Sequence, residues 1–275
     1  MDLGLNDATV AVSGGTKGMG RAAAECFAAE GARVAVLART RPAMEDTVNA
    51  MWAAGSTDAI GIETDLTLAS SVRASFDELA DRWGRLNVLV NAAGPVEVGI
   101  GGFDDLDDDE WMDTFDIGTL SAVRCIRAGL PMLRRAARMN DGWARIVNVS
   151  AHSTKRQSPA IVAYTASKAA LTSLSKNLSL SLAPDGILVN TVSPGSFNSQ
   201  GMRDYVGALG PDRNADPDDL FDVMRIIDED FGHPAHLMRA ADPSEIGPVI
   251  TFVGSRINTY MTGANINVDG GSDFA

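Results

Sequence analysis

The run Thr9-Val10-Ala11-Val12-Ser13-Gly14-Gly15-Thr16-Lys17-Gly18-Met19-Gly20-Arg21-Ala22-Ala23-Ala24 decides the fold. Its first four residues form a short β-branched run that reads as a strand, and Arg21–Ala24 begin a helix. Between them, glycines at 14, 18 and 20 permit a tight turn and bring backbone N–H groups close to an anion. The helix that follows would aim unpaired N–H donors and a partial positive charge at a pyrophosphate. A glycine-rich turn alone is weak evidence; between a first strand and a first helix it becomes a dinucleotide-loop candidate. Its spacing departs from the Gly-x-Gly-x-x-Gly form of many such sites.

Outward from this run, short apolar segments alternate with longer helical stretches. Arg33–Leu37, Leu86–Val90, Arg145–Val149, Ile187–Val192 and Asn265–Val268 read as strands, and Ala59–Ile62 as a weaker one. Strands that alternate with helices predict an α/β fold, a parallel sheet covered on both faces. Leu171, Leu174, Leu178 and Leu182 keep helical spacing until Pro184-Asp185-Gly186 stops the pattern. The alternation fails between about 197 and 243, where Gly, Pro and Asp interrupt short amphipathic pieces such as Leu220–Ile227. A long irregular insertion of this kind is expected to be a substrate lid. Met202, Tyr205, Leu209, Phe221, Met224 and Met238 would give it an adaptable apolar surface, or simply its packing.

The 275 residues fit one domain, and 45% hydrophobic with 21% charged residues is a globular composition. A formal charge of −13 argues against nucleic acid as a partner. The acid is concentrated in Asp104–Glu110 and Asp212–Asp222, read as solvated loops and helix starts. No apolar run is long enough to span a membrane, and the start has no secretory pattern. Cys26 and Cys125 are too few for a disulfide framework, so a cytoplasmic protein with reduced thiols is expected. His152, His233 and His236 lack nearby cysteines, and no metal site is expected. His152 follows Ala151 and is left without a role; Trp111 reads as a core residue at a helix start.

Two features carry chemistry. The predicted second strand ends in Ala38-Arg39, where a carboxylate would select NAD, and Lys17 lies in the glycine loop. Together they predict NADP(H) over NAD(H). Tyr164 and Lys168, four residues apart at the start of the leucine-striped helix, share a face. An ammonium about 4 Å from a phenol contributes about 4 kcal/mol at an effective dielectric near 20. That would be enough to bring the phenol from about 10 toward neutrality.

On these residues the chain resembles the short-chain dehydrogenase/reductases, from about 5 to 271. Gly14, Thr16, Lys17, Gly18, Met19 and Gly20 look like that family's cofactor loop, and Asp65-Leu66 like its adenine contact. Asn91-Ala92-Ala93-Gly94 is similar to its strand-four motif, and Pro194-Gly195, continued by Ser196 and Phe197, to its nicotinamide-side turn. Tyr164 and Lys168 match its catalytic pair, and Val268-Asp269-Gly270-Gly271 its closing motif. The resemblance implies a Rossmann-type, doubly wound, seven-stranded sheet of order 3-2-1-4-5-6-7. It also implies hydride transfer between a nicotinamide and a carbonyl or secondary alcohol, in a homodimer or homotetramer.

There are two departures from the family pattern. Ala151 stands where the family has a serine thirteen residues before the tyrosine. Ser150 would face the other way on a continuing strand, so Ser153 is the expected substitute, unless it only caps a turn. Gly118 stands where the family has an asparagine, with Thr119 and Ser121 as conceivable replacements. The expected function is thus an NADP(H)-dependent oxidoreductase of a hydrophobic ketone or a 3-oxoacyl thioester. An NADP(H)-binding sensor or scaffold with little catalysis is the alternative.

Overall fold

Short strands buried on both faces need a cover on each side, and the chain supplies it by alternation. The computed structural model describes residues 1–95, 99–209, 213–232 and 234–272. Seven parallel strands, β1 (Thr9–Ser13), β2 (Arg33–Ala38), β3 (Asp58–Glu63), β4 (Val88–Asn91), β5 (Ala144–Val149), β6 (Ile187–Pro194) and β7 (Asn265–Val268), form one sheet. Their order is β3-β2-β1-β4-β5-β6-β7, as the resemblance implied. All seven expected strands are present, including the weak one at 59–62.

Side-chain alternation divides each strand between two cores. Val10, Val12, Val34, Val36, Val88, Val90, Val147 and Val149 face one way. They pack against α1 (Gly18–Ala29), α2 (Arg41–Ala54) and, from the C-terminal part, α9 (Gly247–Val253). Ala11, Ala35, Leu37, Leu89 and Ile146 face the other way, onto α3 (Ala69–Trp83) and α5 (Ser121–Ala137). A slip of one residue would exchange the two sets, so the registers are tightly specified.

The strands are parallel, so their C-terminal ends share one edge, and the order of strand addition reverses between β1 and β4. Ligands of open α/β sheets bind at such a point. The acidic runs act as expected: Asp107 caps α4 (Asp108–Phe115) in a capping box with Glu110, and Asp219 caps α8 (Leu220–Phe231). Trp111 lies partly buried in α4, between the rings of Phe103 and Phe115.

The helix expected along the leucine stripe is present and stops before Pro184. In α6 (Val162–Ser181) the buried line is Ala163, Ser167, Lys168, Leu171, Ser175 and Ser179, while Leu174 and Leu178 are half-buried. The serines tolerate burial because they hydrogen-bond to their own helix, Ser167 to the Tyr164 carbonyl at 2.8 Å and Ser175 to that of Leu171 at 2.7 Å. Small, self-satisfied side chains let α6 lie close to its neighbours.

In the 197–243 segment, α7 (Gln200–Ala208) and α8 enclose a small core of their own: Val206, Val223, Met224, Ile226, Ile227, Ala235 and Ala240. Met202 and Leu209 pack on it, whereas Phe221 and Met238 stay exposed. The apolar residues of the insertion thus divide between packing and surface. His233 and Asp212 lie outside the described residues.

Candidate active site

The cofactor loop is built by close approach of backbone to backbone. Gly14 has φ +69°, and a Cβ on it would stand 2.7 Å from the Ala93 nitrogen. A Cβ on Gly20 would stand 2.3 Å from the Gly14 carbonyl oxygen. Around Gly18 the space is open, the nearest atom to an added Cβ being Ser199 Cβ at 3.9 Å. Helix α1 starts at Gly18 with Lys17 as N-cap and no side-chain cap, leaving its first amides for an anion. A dinucleotide pyrophosphate fits this cradle. Thr16 is buried beneath it, its carbonyl 3.5 Å from Thr47 Oγ1; Lys17 is exposed, and Met19 packs on the core.

Arg39 stands exposed just past β2 and forms no ion pair among the described residues. Its neighbour Arg41 is already committed to Glu63 at 2.6 Å. Asp65 accepts hydrogen bonds from the Thr67 hydroxyl at 2.6 Å and amide at 2.9 Å, both on Oδ1. These bonds hold its carboxyl below the usual range, with smaller contributions from Arg39 and Arg124.

Three of the expected cofactor residues have side chains committed elsewhere. Leu66 and Phe197 place their side chains in the two cores. Asn91 donates to Asn148 Oδ1 at 2.8 Å, Asn148 to Ser175 Oγ at 2.8 Å, and Ser13 reaches Asn91 at 3.4 Å. This buried polar chain ties β1, β4, β5 and α6 together under the site. Sequence reasoning did not single out Asn148 and Ser175 as members of this chain, although an asparagine in each of two apolar strands is a visible signal.

Beyond β4, Ala92 donates its N–H to the Ser13 carbonyl at 3.0 Å, and Ala92 and Ala93 pack on opposite cores. A Cβ on Gly94 would stand 3.1 Å from Lys168 Nζ. Past β6, the Gly195 amide bonds to the Val268 carbonyl at 2.9 Å, and a Cβ there would stand 2.5 Å from Asp269 Cα. Ser196 is buried and its carbonyl accepts from Ala241 at 2.9 Å.

Tyr164 and Lys168 lie on one face of α6 at this edge, and Lys168 Nζ donates to the Val149 carbonyl at 3.0 Å. Within the chain, burial pushes the Tyr164 phenol up to about 12. Burial is the whole cause of that rise, and the four-residue spacing does not report it. Burial also pushes Lys168 down to about 8 from its ordinary 10.5. The unfolded chain therefore holds this proton where the folded chain has lost it, and stability rises with pH from about 8 to about 10. At about 1.4 kcal/mol per pH unit the rise is about 3 kcal/mol at most. Denaturant midpoints of the wild type and Lys168→Met at about pH 7 and about pH 10 are expected to differ by this increment.

Local geometry separates the two serines. The Ser150 hydroxyl turns to α6, 2.9 Å from the Lys168 carbonyl and 2.7 Å from Thr172 Oγ1. After the extended Ala151 the chain enters a 3-10 turn, His152–Thr154. Thr154, not Ser153, bonds back to the Ala151 carbonyl, at 3.0 Å. Ser153 Oγ is buried with no hydrogen-bond partner among the described residues, so turn capping does not explain it.

Gly118 lies in a π-helical turn, Asp116–Leu120, and a Cβ there would stand 2.5 Å from Ser167 Oγ. Such turns often accompany functional sites. Neither conceivable replacement is free: Thr119 donates to the Ser167 carbonyl at 2.6 Å, and Ser121 to that of Ile117 at 2.6 Å. Ser167 instead fills the space next to the glycine.

No helix among the described residues is long and apolar enough to cross a membrane. The family model described as Enoyl-(Acyl carrier protein) reductase matches residues 14–273. A 3-alpha-(or 20-beta)-hydroxysteroid dehydrogenase of Mycobacterium bovis is 30% identical over 95% of this chain and 87% of its own length. The Pseudomonas aeruginosa RhlG/NADP active-site complex superposes with a TM-score of 0.82 at 28% identity, over 99% of this chain and 98% of that one. L-sorbose reductase from Gluconobacter frateurii, complexed with NADPH and L-sorbose, gives a TM-score of 0.90 at 25% identity over 100% of both chains. With these matches over a Rossmann-type sheet, the chain belongs to the short-chain dehydrogenase/reductase family, oxidoreductases of CH–OH and C=O groups.

Proposed function

We propose that the chain is an NADP(H)-dependent reductase of a ketone, with the reverse oxidation of a secondary alcohol. One observation carries the reading: Tyr164 and Lys168 share a face of α6 at the sheet edge that also holds the Gly14–Gly20 cradle. Lys17 and Arg39, both exposed there, support the phosphorylated cofactor, as do the NADP and NADPH of the two structural neighbours. The cofactor contacts would come from Gly14, Thr16, Lys17, Gly18, Met19, Gly20, Arg39, Asp65, Leu66, Asn91, Ala92, Ala93, Gly94, Pro194, Gly195, Ser196 and Phe197, with Tyr164 and Lys168 on the ribose side.

When bound, the nicotinamide supplies or takes the hydride. Tyr164 then gives its phenolic proton to the carbonyl oxygen as that oxygen gains charge. A phenol held protonated by burial suits this direction, since the alkoxide formed is much the stronger base. Lys168 anchors the cofactor ribose and favours the phenolate left behind. Ser153 takes the place of the serine missing at Ala151, donating to the substrate oxygen. Ser153→Ala is expected to slow the chemical step by about 10²–10³, the usual loss for one oxyanion donor. Ser150→Ala is expected to have little effect on that step. Single-turnover rates check both, and equal small effects would remove Ser153 from the mechanism.

The insertion at about 197–243 acts as a lid, with the exposed Phe221, Leu237 and Met238 available to an apolar substrate. The relatives' names span a sugar and a steroid and single out no substrate; the exposed apolar residues of the insertion favour a hydrophobic ketone or 3-oxoacyl thioester. A cytoplasmic homodimer or homotetramer completes the reading. The test is a panel of carbonyls with NADPH and of alcohols with NADP, followed through the absorbance of the reduced nicotinamide. Turnover supports the reading; tight NADPH binding without turnover on any member would leave only a cofactor-binding protein.

A further inference from the structure

The end of β5 holds a histidine that none of the roles above uses. In the parallel pairing of β5 with β6, Asn148 lies opposite Thr191 and Val149 opposite Val192. The Ser150 amide then donates to the Val192 carbonyl at 2.8 Å. The next bond of a parallel ladder would run from the amide of residue 152 to the carbonyl of residue 194. The backbone instead turns off into the 3-10 turn. It is the His152 imidazole, 5% exposed, that meets the Pro194 carbonyl, with Nδ1 at 3.0 Å. A carbonyl can only accept, so Nδ1 carries the proton.

We propose that His152 is a positioning residue that replaces this missing ladder bond and sets the turn carrying Ser153 against the Pro194–Phe197 turn. Both partners are well braced. The His152 carbonyl accepts from the Lys155 amide at 2.9 Å and the Arg156 amide at 3.2 Å, and the Gly195 amide is held by Val268. The imidazole thus joins the segment proposed to meet the substrate oxygen to the segment proposed to meet the nicotinamide. The distance between those two fixes how closely carbonyl carbon and hydride approach, and misplacement by about 1 Å can cost about 10² in rate. The catalytic part of this inference rests on the function proposed above; the clamp itself does not.

The test compares His152→Leu, His152→Gln and His152→Asn in the full chain. Asparagine hangs its amide nitrogen on Cγ, as histidine does Nδ1, whereas glutamine places it one bond further out. Three quantities are measured: amide hydrogen exchange at Gly195–Phe197, NADPH affinity by fluorescence, and single-turnover hydride transfer. His152→Leu and His152→Gln are expected to speed exchange there, and to slow hydride transfer, by about tenfold each, which is one hydrogen bond of about 1.4 kcal/mol. NADPH affinity is expected to fall by less than hydride transfer does. His152→Asn is expected to restore exchange and hydride transfer to near wild type. Unchanged exchange in His152→Leu, or a His152→Asn variant as impaired as His152→Gln, would overturn the proposal. Should wild type reduce no carbonyl at all, the proposed function falls, while the exchange data still decide the clamp.

Discussion

Replacing Tyr164 by phenylalanine is expected to slow reduction of a carbonyl substrate by about 10²–10⁴, the usual worth of a positioned general acid. The substitution removes one oxygen and keeps the ring. Tyr164 contributes to the fold through its backbone, whose carbonyl accepts from Ser167, and the side-chain oxygen has no hydrogen bond among the described residues. The thermal midpoint is therefore expected to stay near wild type, and so is NADPH affinity, because the ribose side would still be held by Lys168. A fall in kcat at constant NADPH affinity is what loss of a transition-state interaction looks like. Activity that survives intact would mean that another group delivers the proton, and the mechanism proposed for this edge would fail.

The second large effect is expected at the other end of the cofactor. Arg39→Asp should lower kcat/KM with NADPH by about 10–10², since one charge-assisted hydrogen bond of about 1.5–3 kcal/mol is lost and a like charge is introduced. With NADH the same carboxylate can accept from the ribose hydroxyls, so efficiency should hold or rise. Arg39 is exposed, so part of the effect is screened and should shrink in salt. Arg41 is a poor substitute, since its ion pair with Glu63 would have to break first. The check is the ratio of the two efficiencies on one substrate; a parallel loss with both cofactors would show that Arg39 does not face a phosphate.

Much of this site was legible because its signals are local. Glycines at 14 and 20 are demanded by backbone approaches within one turn or to the adjoining strand, and any side chain there collides. Tyr164 and Lys168 need only helical spacing to share a face. Burial is what such local signals do not report. The leucine spacing marks α6 as a helix but not its buried face, which Leu171 shares with self-bonded serines. The charge argument leaves burial out, because spacing reports a neighbouring ammonium but not how far either group is withdrawn from water.

The sequence by itself determined the seven strands, the cofactor turn and the tyrosine–lysine pair. Each follows from periodicity or from steric rules that act over a few residues. Only the tertiary structure decided that Ser150 turns to Lys168 and Thr172, that Ser153 lies buried without a partner, that Asn91 is spent on Asn148, and that His152 reaches Pro194. Those outcomes join residues up to 57 positions apart. Hydrogen-bonding capacity can be read from a residue's name, but the partner that satisfies it is chosen by packing.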